Sequence, residues 1–248
     1  MQTIQIDNIT KQFGPLEVLS NLNLTIEKGE FAAIVGPSGC GKSTVLRMIA
    51  GLEHPSTGQV LANGQVIREP DPQRVLIFQE HALYPWRTVE DNVGFGLELA
   101  KVAPAERKQR VDAMLEKVGL SGFQKYYPHQ LSGGMKQRAS IARALVMNPE
   151  VLLLDEPYGA LDAITRLTMQ NELIKLWRGS GKTVLLITHD IDEAVYLADT
   201  IYVMSPRPGR IVRTVKADME RPRNRNSAEF VKLREQVMDS LDIGTYTI

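Results

Sequence analysis

The stretch Gly36-Pro37-Ser38-Gly39-Cys40-Gly41-Lys42-Ser43-Thr44 limits what this chain can fold into more than any other. It follows the pattern G-x-x-x-x-G-K-[ST], and its flanks are the ones that pattern needs. Before it, Phe31-Ala32-Ala33-Ile34-Val35 is a short apolar run that reads as a buried strand. After it, Val45, Leu46, Met48, Ile49 and Ala50 read as an apolar helix that stops near Gly51. Strand, glycine-rich turn and helix form a phosphate cradle. Small residues let successive backbone N–H groups converge on oxygen atoms, and the helix N-terminus adds about half a positive charge. In such a cradle Lys42 reaches the β- and γ-phosphates, and the Ser43 hydroxyl sits on Mg²⁺. The alternative is a glycine-rich turn carrying a chance lysine, and the strand before it and helix after it weigh against that.

A chain of 248 residues can bury one large α/β core, with room for a smaller subdomain. Apolar residues at 43% and charged residues at 23% are ordinary for a globular protein. Lys+Arg and Asp+Glu balance at 29 each, so there is no basic excess to suggest a nucleic-acid partner. No apolar stretch approaches the roughly 20 residues needed to span a bilayer. The start, Met1 to Ile6, has neither a basic segment nor an apolar one, so no signal peptide is expected. The single cysteine, Cys40, excludes an intrachain disulfide and is compatible with a reducing cytoplasm. Within the phosphate loop it is read as a small residue rather than a redox sensor. Thiol modification there should block nucleotide binding.

Around the loop, hydrophobic periodicity sketches the rest. Ile4 and Ile6, then Leu22, Leu24 and Ile26, alternate with polar neighbours as strands do. Val60 to Ile67 reads as a hairpin with Asn63-Gly64 at its tip, and Arg74 to Phe78 as another buried strand. From about Thr88 to Asn148 the pattern turns helical. Pro104 opens a helix closed by Gly119, and a second helix begins after Ser132. Strand–helix alternation returns with Val151–Leu154, a helix around Leu167–Trp177, the strand Thr183–Ile187 and an amphipathic helix through Ile191, Ala194, Val195 and Ala198. Strands at Ile201–Met204 and Arg210–Val215 flank the turn Pro206-Arg207-Pro208-Gly209. A polar stretch, Glu220–Asn226, leads to a last helix capped by Ser227.

Two further segments carry chemistry. Val151–Leu154 delivers Asp155-Glu156 at its C-terminal end, the edge where open α/β sheets bind ligands. Asp155 is placed to hold Mg²⁺. Glu156, one residue on, points elsewhere and can accept a proton from an attacking water. Leu131-Ser132-Gly133-Gly134-Met135-Lys136-Gln137-Arg138 is a serine and two glycines opening a helix, a second anion-binding N-terminus. A protein with one nucleotide has used one such site already, so the second suggests a nucleotide held by another copy.

This LSGG-x-x-QR segment, together with the phosphate loop and the two acids, resembles the nucleotide-binding subunits of ABC transporters. The resemblance runs from about Ile4 to Val215. It implies an α/β fold: a P-loop core carrying an antiparallel β subdomain (1–87 and 149–215), an inserted helical signature subdomain (88–148) and a short C-terminal tail with a helix (216–248). It also implies ATP and Mg²⁺ as bound groups and a head-to-tail dimer. Each ATP would lie between one copy's loop and the other's Ser132, Gly133 and Gly134. Met135 stands where glutamine is often found in such segments. Phe13 falls where the family stacks an aromatic on adenine, and Gln79 where a glutamine contacts Mg²⁺ or the attacking water. Gly159-Ala160-Leu161-Asp162 looks like the loop that crosses the dimer interface. His189, in Thr188-His189-Asp190, looks like the switch histidine that contacts the γ-phosphate and orders Glu156.

Glu80 to Thr88 places leucine, tyrosine and tryptophan around a proline. Either it plugs a hinge, or, as the resemblance favours, Gln79–Thr88 docks on two transmembrane permease subunits. Gln79–Val89, Thr188–Asp199 and Ser205–Arg210 are similar to the importers for nitrate, taurine and other sulfonates. That implies an indirect partner, a solute-binding protein outside the cell, and a place at the cytoplasmic face of the membrane. No residue of this chain would touch the transported solute. The rival readings are an exporter or lipid-transport ATPase and a non-transport ATPase of DNA repair or ribosomes. Repair members carry a long coiled-coil insertion, and ribosomal ones usually two cassettes.

Overall fold

The computed structural model describes residues 2–78, 82–159 and 161–241. Gln79, Glu80 and His81, the start of the expected docking segment, and Ala160 therefore lie outside the described residues.

The elements run β1 (Ile4–Phe13), β2 (Leu16–Ile26), β3 (Phe31–Val35), α1 (Lys42–Ala50), β4 (Thr57–Ala62), β5 (Gln65–Val66) and β6 (Arg74–Ile77). There follow α2 (Val89–Leu99), α3 (Pro104–Lys117), α4 (Gly133–Leu145), β7 (Val151–Asp155) and α5 (Ala163–Trp177). The chain closes with β8 (Thr183–Thr188), α6 (Ile191–Leu197), β9 (Thr200–Met204), β10 (Ile211–Lys216) and α7 (Ala228–Ser240).

Two sheets form. One is antiparallel with the order β2-β1-β4-β5, and the other has the order β10-β9-β3-β8-β7-β6. In the second, β6, β7, β8, β3 and β9 are parallel and only β10 runs back. Parallel strands are covered on both faces, which is why they read as unbroken apolar runs. Phe31, Ala33, Leu152, Leu154 and Leu186 turn one way, onto α5, α6 and α7. Ala32, Ile34, Val151, Leu153 and Leu185 turn the other way, onto α1 and the antiparallel sheet. Helices α2, α3 and α4 share a third apolar cluster built on Val93, Leu97, Leu115, Ala139 and Ala142. Among the described residues no helix is long and apolar enough to cross a membrane.

Because these strands are parallel and in register, their C-terminal ends share one edge. Val35 pairs with Thr188, and Asp155 with Ile187. The chain leaves β3 into the phosphate loop, β7 into Glu156 and β8 into His189, all on that side. The α5 helix starts four residues earlier than the sequence pattern indicates. Asp162 caps it, accepting from Thr165 N at 3.0 Å, and its first turns expose Ile164 and Leu167, so the apolar stripe shows late. The polar stretch Glu220–Asn226 before α7 turns part of its charge inward. Arg223 is 5% exposed and Arg221 and Arg225 are largely covered, forming a strap: Arg221 and Arg223 bond carbonyls at the C-terminal end of α6, and Arg225 reaches Asp192 O in its first turn and Gln170 of α5.

Candidate functional site

The phosphate loop turns on Gly41, which caps α1 with φ at +105°, a region that favours glycine. A Cβ there would also lie 2.6 Å from Leu19 of the antiparallel sheet. The tip, Pro37-Ser38-Gly39, is exposed, while Lys42 is 5% exposed at the first position of the helix. Its Nζ donates to Gly36 O at 2.8 Å and Pro37 O at 2.9 Å, so the ammonium spans the inside of the loop. Cys40 is buried, and burial raises its thiol pKa, which makes it a poor nucleophile at neutral pH. Thr44 follows in the first turn of α1, half-buried.

Beside Lys42, the Ser43 hydroxyl donates to Asp155 Oδ1 at 3.0 Å, joining the loop to the end of β7. Burial raises the Asp155 pKa, the Ser43 hydroxyl opposes this, and the adjacent Glu156 charge adds to it. A hydroxyl and one carboxylate suit Mg²⁺, which takes one or two protein oxygens and fills its octahedron with water and phosphate oxygens. Among the described residues there is no cluster of three or more His, Cys, Asp or Glu side chains that could cage a metal by itself.

Glu156 adopts φ +43°, unusual for a residue with a side chain, and its N–H bonds Ile187 O at 2.9 Å. Glu156 Oε2 lies 3.0 Å from Nδ1 of His189, at the end of β8. The next residue, Asp190, caps α6, accepting from Glu193 N at 3.1 Å and from Arg166 at 3.3 Å. A carboxylate held by an imidazole at the edge of a phosphate cradle is equipped to take a proton from a water.

The other expected residues stand apart. Phe13 ends β1, 46% exposed, with Lys11 Nζ 4.7 Å from its ring centre. Ser132 caps α4, accepting from Met135 N at 3.3 Å, and Gly133 and Gly134 open that helix. These three face a cleft of about 600 Å³ shared with Leu161, Asp162 and Thr165 and lined by no residue of the phosphate loop. The described part of the docking segment is partly packed. Tyr84 lies 4.9 Å from Phe95 and 5.5 Å from Trp86, which is 71% exposed.

Two groups escaped the sequence. Arg207, in the turn after β9, directs Nε and Nη2 to Gly39 O at 3.1 and 3.0 Å. Glu193 and Gln170 form a buried pair behind His189, at 3.3 Å. Neither belongs to a motif that marks such contacts.

A model of the ABC transporter family matches residues 19–159. An uncharacterized ABC transporter ATP-binding protein of Methanocaldococcus jannaschii is 48% identical over 242 residues, 96% of this chain and 91% of the relative. An aliphatic sulfonates import ATP-binding protein of Bacillus licheniformis is 49% identical over 225 residues, 91% of this chain and 87% of the relative. Among solved structures, a dimeric post-hydrolysis state of an ATP-binding cassette bound to ADP and Pi superposes with a TM-score of 0.75. It is 34% identical and spans 88% of this chain and 100% of its own.

Proposed function

The chain belongs to the ABC transporter family, and on that premise we propose that it is the ATP-hydrolysing subunit of an importer for nitrate, taurine, an aliphatic sulfonate or a related small anion. The ATPase part is carried by one observation: Lys42, Ser43, Asp155, Glu156 and His189 gather at a single sheet edge. Lys42 and the loop N–H groups hold the phosphates. Ser43 and Asp155 would hold Mg²⁺, which when bound neutralises charge on the β- and γ-phosphate oxygens. Glu156 accepts the proton of the attacking water, and His189 holds that carboxylate in place.

The separation of Ser132–Gly134 from the phosphate loop supports a head-to-tail pair, each signature closing over the partner's nucleotide. A cassette that is dimeric and bound to ADP and Pi is among the structural neighbours. Phe13 would stack on adenine, and Asp162 and its loop would lie along the dimer seam. Gln79 would complete the site. Closure and opening would pass through the segment ending at Thr88 to two permease subunits at the cytoplasmic face of the membrane, with a solute-binding protein outside. The choice of importer rests on the 49% identity to an aliphatic sulfonates import protein over most of the chain.

The test is purification of the tagged chain from its native membranes, followed by ATPase assays of the complex in vesicles. Two polytopic membrane subunits should co-purify. Hydrolysis should rise when a solute-binding protein loaded with an alkanesulfonate, taurine or nitrate is added. Recovery with DNA or ribosomes and no membrane subunit would overturn the transport reading.

A further inference from the structure

The turn between β9 and β10 has no part in the reading above, yet it is built against the phosphate loop. In the sheet β9 lies beside β3, with Val35 opposite Val203, so the chain leaving Met204 emerges next to the chain entering the loop. In the six-residue turn that follows, Pro206, Arg207, Pro208 and Arg210 are exposed, while Gly209 is buried and anchors the turn. Gly209 N donates to Val18 O at 2.9 Å, and Ser20 N donates to Gly209 O at 3.1 Å, tying the turn to β2. Ser205 N closes it on Arg210 O at 2.9 Å. Gly209 approaches the loop so closely that a Cβ would lie 2.2 Å from Cys40 O.

From this anchored turn Arg207 reaches the loop's tip. Its Nε and Nη2 both donate to Gly39 O, at 3.1 and 3.0 Å. The carbonyl and N–H of one peptide unit point in opposite directions. Drawing Gly39 O outward to the guanidinium therefore turns the Cys40 N–H inward, where it meets Pro37 O at 3.4 Å. Lys42 Nζ sits on that same Pro37 carbonyl. One planar, permanently charged group thus sets the direction of a peptide in the cradle and adds positive charge beside it. Among the described residues, Arg207 has hydrogen bonds to this carbonyl and no acid within ion-pair distance.

We propose that Arg207 is a nucleotide-positioning residue, fixing the Gly39–Cys40 peptide of the phosphate loop through its fork on Gly39 O and strengthening the hold on nucleoside di- and triphosphates. This rests on the reading of 36–44 as the ATP site. It assigns Arg207 to nucleotide binding and not to proton transfer, since Glu156 and His189 are on other strands.

The experiment measures the Kd of fluorescently labelled ATP and ADP with Mg²⁺, alongside steady-state hydrolysis, for the whole chain and three variants. Arg207→Met should raise Kd and KM about tenfold and leave kcat within about twofold. Arg207→Lys should recover only part of the affinity, because an ammonium cannot fork on one carbonyl as a guanidinium does. Arg210→Met removes a charge from the same turn, where Arg210 reaches only Ser20 Oγ at 3.3 Å, and should bind as the wild type does. Unchanged affinity in Arg207→Met overturns the proposal, and so does an equal loss in Arg210→Met, which would reduce the effect to general charge. A wild-type chain that binds no ATP would instead overturn the site itself.

Discussion

His189 Nδ1 stands 3.0 Å from Glu156 Oε2, so two parallel strands, β8 and β7, deliver an imidazole and a carboxylate to one hydrogen bond. The carboxylate is 20% exposed and the imidazole 60%, which leaves this pair open to a water. Replacing Glu156 with glutamine keeps the shape and removes the proton acceptor. Glu156→Gln should therefore bind ATP and slow turnover by about 10²–10⁴, the usual worth of a placed general base. Held in the ATP state, it should accumulate as a dimer in size-exclusion chromatography with ATP. Near-normal steady-state hydrolysis in this variant would remove Glu156 from the role.

The Ser43–Asp155 hydrogen bond predicts a magnesium phenotype rather than a nucleotide one. Ser43→Ala deletes the hydroxyl but leaves Lys42 and the loop backbone, and Asp155 keeps its raised pKa without its hydrogen-bond donor. Half-maximal activity should need about tenfold more Mg²⁺ in Ser43→Ala, while nucleotide affinity without metal stays within about twofold; the loss of one coordinating group from a cation site is of this order. Titrating activity against free Mg²⁺ at fixed ATP checks this. An unaltered magnesium curve would show that the hydroxyl serves only the loop's shape.

How much of this was legible depends on where each side chain finds its partner. Strands β3, β7 and β8 could be read directly because parallel strands covered on both faces are apolar throughout. The phosphate loop was legible because glycine, lysine and hydroxyl occur at a fixed spacing. The pairing of Glu156 with His189 could not be read from spacing, since 33 residues separate them; only resemblance to a family suggested it. The arginines were illegible for a different reason. Arg207 and Arg223 bind backbone carbonyls, which every residue carries, so nothing in the sequence marks their partners. The polar stretch Glu220–Asn226 thus carried no mark of the inward-turned Arg223.

Arg223 shows what that costs when disturbed. Its Nη1 donates to Val195 O and Ala198 O at 2.7 and 2.5 Å, its Nη2 to Ala217 O at 2.7 Å and its Nε to Met219 O at 3.3 Å. Two of these carbonyls end α6, where helices leave acceptors without partners. Burial pushes the guanidinium pKa down to about 10, still well charged at neutral pH. Arg223→Met should leave these acceptors buried and cost about 3–5 kcal/mol. For a chain of this size that is a fall in Tm on the order of 10 °C. Urea unfolding would measure it, and a loss under about 1 kcal/mol would mean that water replaces the guanidinium.

Glu193 predicts a stability that depends on pH. It is 4% exposed in the first turn of α6 and accepts from Gln170 Nε2 at 3.3 Å. Burial is the main cause that raises its pKa from an ordinary 4.5 to about 7. Asp190 at the helix cap pushes in the same direction, while the Thr188 hydroxyl, Gln170 and Arg166 pull against it. Tyr158 and Arg225 also face this carboxyl, from the loop after β7 and from the C-terminal strap. A folded pKa above the unfolded one means that the fold favours the protonated acid. Its contribution is complete below pH 4.5, declines between 4.5 and 7, and above 7 leaves a constant deficit of about 3 kcal/mol. Glu193→Gln removes the titration and keeps the acceptor for Gln170. Its stability relative to wild type should therefore be about 2–3 kcal/mol greater at pH 8 than at pH 5. Urea denaturation of both proteins across that range gives the difference directly. A constant gap at every pH would show that Glu193 is ionised in the folded protein as readily as in the unfolded chain.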